Sequence, residues 1–172
     1  MLNRRSFLLG SAATMAVLTA CGTTGSLPLS RRRTLAGGGL WAPVEIVDDL
    51  HGVPHIRAQS IPDAFFGQGY VVARDRLFQI DLSHRREMGR LAEAFGSEFA
   101  AHDAAARLFQ FRGDLEAELA KVPSHIVDCA RSYVAGINSR IDEVLADPDL
   151  LPLEHSLRGV EPLKWTLFDL VV

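Results

Sequence analysis

The chain has 172 residues, of which 48% are hydrophobic and 23% charged, a composition that fits one globular domain and argues against wholesale disorder or a multidomain machine. Five of the 18 basic residues and none of the 21 acidic residues lie in residues 1–44, so residues 45–172 carry a net charge of −8. Nucleic acid is therefore excluded as a general partner of the globular part, because phosphate binding needs a positive surface.

The first residues have the pattern of an export signal. Arg4 and Arg5 precede an apolar run that is shorter than the ~20 residues of a stable transmembrane span, and the pair resembles a twin-arginine signal. Leu18–Cys21 resembles a bacterial lipobox, although an ordinary cleavage site with an incidental cysteine is the alternative. We therefore predict that residues 1–21 form a twin-arginine-like lipoprotein signal, that Cys21 is lipidated, and that the protein is exported and periplasmic or membrane-anchored.

Residues 22–43 are rich in Gly, Ser, Thr and Arg and lack a periodic apolar pattern, which predicts a flexible tether. Within it, Arg31–Arg33 could bind nucleic acid or lipid headgroups, but a solvated linker is the preferred interpretation. If Cys21 is lipidated, only Cys129 remains, so an intrachain disulfide is excluded. The helical stripe around Cys129 predicts a buried structural thiol.

The globular part begins with a β-hairpin pattern. Val44–Val47 and His55–Ala58 are extended segments separated by a turn cluster, and such a hairpin needs a partner surface to be stable. Ser60 then caps a predicted helix that runs to about Phe95. Its core stripe is predicted to contain Phe66, Tyr70, Leu77, Ile80 and Leu91, and Gly67 and Gly69 predict close approach of another element.

Two further helical regions and an irregular segment follow. Ser97–Leu119 is predicted to be helical, with its core formed by Phe99, Leu108, Phe109 and Phe111. Ser124 is predicted to cap a third helix that runs to about Leu145, with an apolar stripe formed by Ile126, Ala130, Tyr133, Val134, Ile137, Ile141 and Val144. The segment 147–162 is predicted to be irregular surface structure. Thr166–Asp169 resembles a capping box that opens another helix, and its apolar continuation favours a truncated C-terminus over a frayed one. The fold class predicted from this order is α+β, with an N-terminal hairpin followed mainly by α-helices.

The sequence contains no strong catalytic motif, and we predict no catalytic, cofactor-binding or metal-binding residue in this chain. His51 and His55 are four residues apart, but Gly52 and Pro54 intervene, so loop packing is preferred to a metal site. The charged groups in Arg74–Arg76, and Asp81 with Arg85 and Arg86, are predicted to form ion pairs on a helix face rather than an anion site.

Several segments resemble the penicillin acylase (penicillin amidase) family in order and spacing. The match begins at Val44–Ala58 and is most specific in the Gly-x-Gly-Tyr-Val…Asp-Arg-Leu-x-Gln run of Asp63–Asp81. It continues in Arg90–Gly96, Tyr133–Asn138, Leu151–Glu154 and Lys164–Thr166. The resemblance implies a secreted N-terminal-nucleophile hydrolase with a four-layer αββα sandwich, made as a precursor that is cut into α and β chains, with the new N-terminal serine of the β chain as nucleophile.

On this resemblance, residues 44–172 are a truncated part of the α chain and match no catalytic position. The implied partner is the β-chain portion of the same precursor, and the implied structural calcium would be bound by residues beyond the C-terminus. The implied substrate is a linear amide, such as the acyl side chain of a β-lactam or an N-acyl homoserine lactone, and the fragment alone is expected to be inactive. The alternative hypothesis is a noncatalytic, membrane-anchored lipoprotein binding module derived from an acylase.

Overall fold

The structure is a computed structural model that describes residues 31–170. Its strands are β1 (Arg31–Leu35), β2 (Val44–Asp48) and β3 (Pro54–Arg57). Its helices are α1 (Ile61–Glu87), α2 (Leu91–Phe95), α3 (Ala100–Phe109), α4 (Leu115–Leu119), α5 (Ser124–Ala146) and α6 (Leu153–Arg158). This order confirms the predicted α+β class. Within the range 31–170, no helix has the length and apolarity required to cross a membrane.

The predicted hairpin is confirmed and is the centre of a small antiparallel sheet of order β1-β2-β3. The turn between β2 and β3 is closed by Asp49, whose backbone N–H donates to the Val53 carbonyl at 3.0 Å and whose Oδ1 accepts from the Val53 N–H at 2.9 Å. Gly52 occupies the turn at φ +77°, a conformation that favours glycine. The side chains of Val44 and Ile46 are fully buried, so the sheet packs its apolar face on the helices.

The predicted tether is wrong for residues 31–35, which form β1 and pair with β2 from Arg31 opposite Asp48 to Leu35 opposite Val44. The arginine run concealed this strand because its charges are neutralised only across the fold. Arg32 contacts Glu45 on β2 at 2.7 Å, and Arg33 contacts Glu143 on α5 at 2.6 Å. Two of the three arginines in the run are therefore engaged in structural ion pairs.

The two long helices, α1 and α5, make the main contact of the molecule. A Cβ built on Gly69 would lie 2.0 Å from the carbonyl oxygen of Tyr133, and one built on Gly136 would lie 2.0 Å from the carbonyl oxygen of Phe66. The helices thus touch backbone to backbone at a pair of facing glycines. Gly67 likewise allows the sheet to pack closely against α1, because a Cβ there would lie 2.8 Å from the side chain of Ile56. The prediction that Gly67 and Gly69 admit a close neighbour is confirmed.

The apolar core lies on both sides of this crossing. One cluster joins the sheet to α1 and contains Leu35, Val44, Ile46, Phe66, Tyr70 and Val71. The other joins α1 to α5 and contains Ala73, Leu77, Ile137, Ile141 and Val144. The predicted stripes of both helices are largely confirmed, except that Ile80 is half-buried and Ile126 is exposed.

The middle of the chain departs from prediction in two places. The helix predicted to run to Phe95 ends at Glu87, because Gly89 at φ +64° turns the chain before α2. The predicted second helix is broken between α3 and α4, and its predicted core is wrong at three positions that are exposed: Leu108, Phe109 and Phe111. The buried face of α3 carries Asp103, whose carboxylate accepts the backbone N–H groups of Leu91 and Ala92 at 2.9 and 2.8 Å. The apolar side chains on the other face of the helix are therefore exposed.

Helix starts agree with the sequence at Ser60 and Thr166. The predicted Ser124 cap is wrong, because Ser124 is the first residue of α5 and makes no capping hydrogen bond, and the prediction of irregular structure at 147–162 is wrong where α6 forms. The Ser60 hydroxyl accepts the backbone N–H of Asp63 at 3.1 Å, as an N-cap should. Thr166 and Asp169 form part of the predicted capping box, with the Thr166 hydroxyl donating to Asp169 Oδ2 at 2.7 Å. The turn that they open is a short 3₁₀ segment, Phe168–Leu170, within the described range.

We predict that Gly69→Ala and Gly136→Ala each destabilise the chain by roughly 1–3 kcal/mol or more, because the added methyl group would overlap a backbone carbonyl that cannot rotate away. Chemical denaturation followed by circular dichroism measures the loss. Gly113→Ala is the matched control, since a Cβ there meets only the ring of the exposed Phe111. Equal stability of all three variants would contradict a close backbone crossing.

Candidate functional site

A buried ion cluster around Asp81 joins three parts of the chain. Asp81 and Arg85 lie one turn apart on α1, and Asp81 Oδ2 accepts the Arg85 Nε–H at 2.9 Å. The same oxygen lies 3.2 Å from Nε2 of His155 on α6, and Oδ1 accepts the backbone N–H of Leu163 at 2.9 Å. Arg85 Nη2 also donates to the Glu161 carbonyl at 2.7 Å. The cluster therefore fastens α6 and the segment after it onto α1.

The surroundings of Asp81 keep it ionised. Burial acts to raise its pKa, but the hydrogen bonds from His155, the Leu163 N–H and Arg85 outweigh burial and hold the pKa below its usual value. Both carboxylate oxygens are occupied, and His155 is fully buried with the ring of Phe78 packed edge-on at 5.2 Å. A carboxylate with a depressed pKa and no free oxygen is not a general acid, so this cluster is structural.

A second buried histidine anchors the last described residues. Nε2 of His84 on α1 lies 3.1 Å from Asp169 Oδ1, and its ring stacks on Trp165 with centroids 4.6 Å apart. Asn138 on α5 holds the same segment through both backbone groups of Trp165, donating to its carbonyl at 2.7 Å and accepting its N–H at 2.8 Å. The segment that follows α6 is thus clamped between the two long helices.

A third cluster surrounds Glu143 where β1 meets the helices. Glu143 Oε1 accepts Arg33 Nη2 at 2.6 Å, while Oε2 accepts the Tyr70 hydroxyl at 2.8 Å and Arg140 Nη1 at 2.9 Å. Burial, with the hydrogen bond to Glu143 as a further cause, raises the pKa of Tyr70 to about 12. The Arg33 guanidinium also lies 5.0 Å from the Tyr70 ring centroid, within cation–π range. Tyr70 therefore keeps its proton at neutral pH.

The Glu143 cluster borders an open cleft of about 730 Å³. Its other wall carries Arg74, which makes a bidentate pair with Asp48 at 3.0 and 2.9 Å and a further contact with Asp75 at 2.7 Å. These contacts raise the pKa of Arg74, with the hydrogen bond to Asp75 as the largest cause. The carboxylates that line the cleft, Asp48, Asp75 and Glu143, are all paired with arginines, so none of them is poised for nucleophilic attack.

The residues singled out by the sequence patterns divide into buried and exposed positions. Asp81 and Arg85 form the predicted i, i+4 pair, but it is buried rather than on an exposed face, and Arg86 pairs with Glu87 instead. Cys129 is buried and free, as predicted. His51 and His55 are exposed rather than packed, and His55 Nε2 contacts Asp49 at 3.3 Å. Arg4, Arg5 and Cys21 lie outside the described residues.

Residues 31–170 contain no group of three or more His, Cys, Asp or Glu side chains suited to a metal ion. The calcium implied by the resemblance was predicted to bind beyond the C-terminus and stays a prediction. Sequence reasoning missed the role of His155, which lies 74 residues from Asp81, and of Glu143, which lies 73 residues from Tyr70. Neither separation has a local signal.

We predict that Asp81→Asn lowers the free energy of unfolding by about 3–5 kcal/mol at pH 7, because it removes the buried counter-charge of the Arg85 guanidinium. The pKa of Asp81 is lower in the folded chain than in the unfolded chain. Its stabilising contribution is therefore present above the unfolded-state pKa of about 4 and is lost as pH falls through the folded-state pKa. Denaturation at pH 7 and at decreasing pH below 4 should show a flatter acid dependence in the variant.

Glu93→Gln is the matched control, because Glu93 reaches the same guanidinium at 3.4 Å from the solvent side and is 46% exposed. Its loss should stay below about 1 kcal/mol. Equal losses for the two variants, or identical acid dependence in Asp81→Asn and the parent, would show that Asp81 is not the counter-charge that matters.

Comparison with known proteins assigns the family. The family model described as penicillin amidase matches residues 43–172. Penicillin G acylase of Escherichia coli is 35% identical over 130 residues, which cover 75% of this chain and 15% of that protein. Penicillin acylase 2 proenzyme of Pseudomonas sp. is 39% identical over 127 residues, covering 74% and 16%. Acyl-homoserine lactone acylase QuiP of Pseudomonas fluorescens is 32% identical over 132 residues, covering 76% and 16%.

The fold agrees with this assignment. The thermostable penicillin G acylase from Alcaligenes faecalis superposes with a TM-score of 0.68 at 33% identity, covering 74% of this chain and 68% of that one. The chain spans 15–16% of the length of the curated relatives that it matches. The family model covers well over half of the chain and the described fold matches a solved member, so this chain belongs to the penicillin amidase family.

Proposed function

We propose that this chain is part of an amidohydrolase that cleaves linear amide bonds, releasing a carboxylic acid and an amine. The observation that carries the proposal is the match of residues 43–172 to the penicillin amidase family, with 32–39% identity to proteins named as penicillin and acyl-homoserine lactone acylases. Candidate substrates are the acyl side chain of a β-lactam and an N-acyl homoserine lactone, which share an acyl group on an amine nitrogen.

Within that enzyme, the described residues would serve as scaffold. Their buried carboxylates at Asp81 and Glu143 are engaged by arginine, histidine or tyrosine, and Tyr70 keeps its proton. The nucleophile would be supplied by the β-chain portion of the same precursor. One relative is named a proenzyme. The matched region covers 68% of the solved penicillin G acylase chain but only 15–16% of the curated relatives, so the solved chain is much shorter than those relatives. Both facts support a precursor that yields separate chains.

Export and anchoring belong to the same proposal. The twin-arginine-like pattern at Arg4 and Arg5 and the lipobox-like Leu18–Cys21 support delivery to the periplasm and attachment to a membrane through Cys21. One acyl chain gives only marginal membrane binding, so stable anchoring needs the several chains that bacterial lipoproteins carry.

We predict that the purified 172-residue chain hydrolyses neither a chromogenic phenylacetyl amide nor an N-acyl homoserine lactone, because its buried polar groups are engaged in structural pairs. The same residues expressed together with the whole remainder of the precursor, which is the rest of the α chain and the β chain, should hydrolyse at least one of them, measured by release of the amine. Hydrolysis by the 172-residue chain alone would overturn the assignment of the nucleophile to the β chain. Failure of the assembled protein on both amides would favour the noncatalytic lipoprotein module.

We further predict that Cys21→Ser abolishes incorporation of a radiolabelled fatty acid and moves the protein from the membrane to the soluble fraction. Cys129→Ser is the matched control, because that thiol is buried in the folded domain and should not affect labelling. Undiminished labelling of the Cys21→Ser variant would exclude Cys21 as the lipidated residue.

A further inference from the structure

The end of the domain where α1 begins exposes apolar side chains. Trp41 is 85% exposed, Ile61 70% and Phe65 38%. Ile61 and Phe65 lie one turn apart on the same face of α1. Trp41 is fixed beside them, since its backbone N–H donates to Asp63 Oδ1 in the first turn of that helix at 3.0 Å. We call these three residues the Trp41 patch.

The segments that form this end carry almost no exposed charge. Residues 36–43 and 58–69 contain one ionisable side chain, Asp63, in a chain that is 23% charged. Asp63 is buried, and its carboxylate accepts the backbone N–H groups of Trp41 and Ala42 at 3.0 and 3.2 Å. The Trp41 patch can therefore leave water without dehydrating a charge from these two segments, which is the main cost of entering an apolar medium.

The exposure of Trp41 is built into the backbone. Gly37, Gly38 and Gly39 have φ values of +81°, +63° and +91°, a backbone conformation that residues with a side chain rarely adopt. The turn is closed by the Leu40 N–H, which donates to the Gly37 carbonyl at 3.1 Å. Leu40 packs against the core cluster of the sheet and α1. With Leu40 held inside and the Trp41 backbone held by Asp63, the indole is presented outward. An amphipathic ring in this setting suits the boundary between headgroups and acyl chains.

The sequence before Arg31 indicates which partner covers the Trp41 patch. The proposed lipid attachment at Cys21 lies ten residues before Arg31, and ten residues span at most roughly 35 Å when fully extended. A domain on so short a connection meets the bilayer at a high effective concentration, so that even a small apolar patch is engaged. Arg32 and Arg33 in β1 are paired with Glu45 and Glu143, so these two arginines offer a bilayer no unpaired charge, whereas the Trp41 patch offers it an apolar surface.

We propose that the Trp41 patch inserts into the headgroup–acyl boundary of a phospholipid bilayer, so that the domain rests on the membrane that holds its anchor. The inference goes beyond amide hydrolysis and draws on the proposed anchoring only for proximity. The test below measures contact between Trp41 and lipid directly. A negative result would therefore overturn this proposal alone and would leave the predictions of amide hydrolysis and of Cys21 lipidation unchanged.

The test uses the two tryptophans of the chain, Trp41 and Trp165. The full 172-residue chain is bound to phosphatidylcholine vesicles that contain acyl-brominated lipid, and tryptophan quenching is compared with that in Trp41→Phe. The parent should show a blue-shifted emission and quenching that Trp41→Phe loses, because Trp165 is held between the long helices by Asn138. Ile61→Ser with Phe65→Ser should reduce quenching of Trp41 by about tenfold at limiting lipid.

The matched control places a tryptophan at another exposed aromatic position. Phe109 on α3 is 89% exposed but outside the patch, so Phe109→Trp in the Trp41→Phe background should not be quenched although the chain is equally bound. Equal quenching at both positions, or none at Trp41 in vesicle-bound protein, overturns the proposal. A lipid-independent blue shift that grows with protein concentration assigns the patch to a second copy. Loss of quenching only on assembly with the β-chain portion assigns it to that chain, and either result also overturns the proposal.

Discussion

The structure depends on the contact between α1 and α5 at Gly69 and Gly136. With no side chain at either position, the carbonyl oxygens of Tyr133 and Phe66 occupy the space that a Cβ would fill. This close approach sets the geometry of everything attached to the two helices. It brings the Tyr70 hydroxyl within 2.8 Å of Glu143, and it positions Asn138 to hydrogen-bond the backbone of Trp165. On the other side of α1, Gly67 admits the side chains of Val44 and Ile56, so the sheet packs against the same helix.

Buried carboxylates do a second structural task, which is to fasten irregular segments to helices. Asp63 accepts the N–H groups of residues 41 and 42, Asp103 accepts those of residues 91 and 92, and Asp81 accepts that of residue 163. Each carboxylate gives a partner to backbone donors that burial would otherwise leave unpaired, a cost of about 1–3 kcal/mol per group. The polar interior is thus architectural, which agrees with a scaffold role in the proposed enzyme and with a nucleophile supplied from another part of the precursor.

Sequence patterns predicted elements best where local rules decide. The hairpin, the Ser60 cap, the long apolar stripe of α5 and the close approach at Gly69 all follow from turn chemistry, capping or helical periodicity. They failed where a residue's environment is set by a distant partner. Phe109 and Leu108 are apolar but exposed, because α3 turns Asp103 toward the interior to hold the start of α2. The strand β1 was hidden because its arginines find their carboxylates on β2 and α5.

By itself, the sequence determined the α+β order and one of the two glycines of the helix crossing, Gly69, and it carried the family resemblance that the comparisons confirm. These features depend on residues that are close together in the chain, so their spacing can be read directly from the sequence. Only the tertiary structure decided that Asp81 pairs with His155, that Glu143 binds Arg33, Tyr70 and Arg140, and that Trp41 is exposed beside Ile61 and Phe65. Those facts depend on which surfaces the Gly69–Gly136 contact brings together, and chain positions more than 70 residues apart carry no local sign of that proximity.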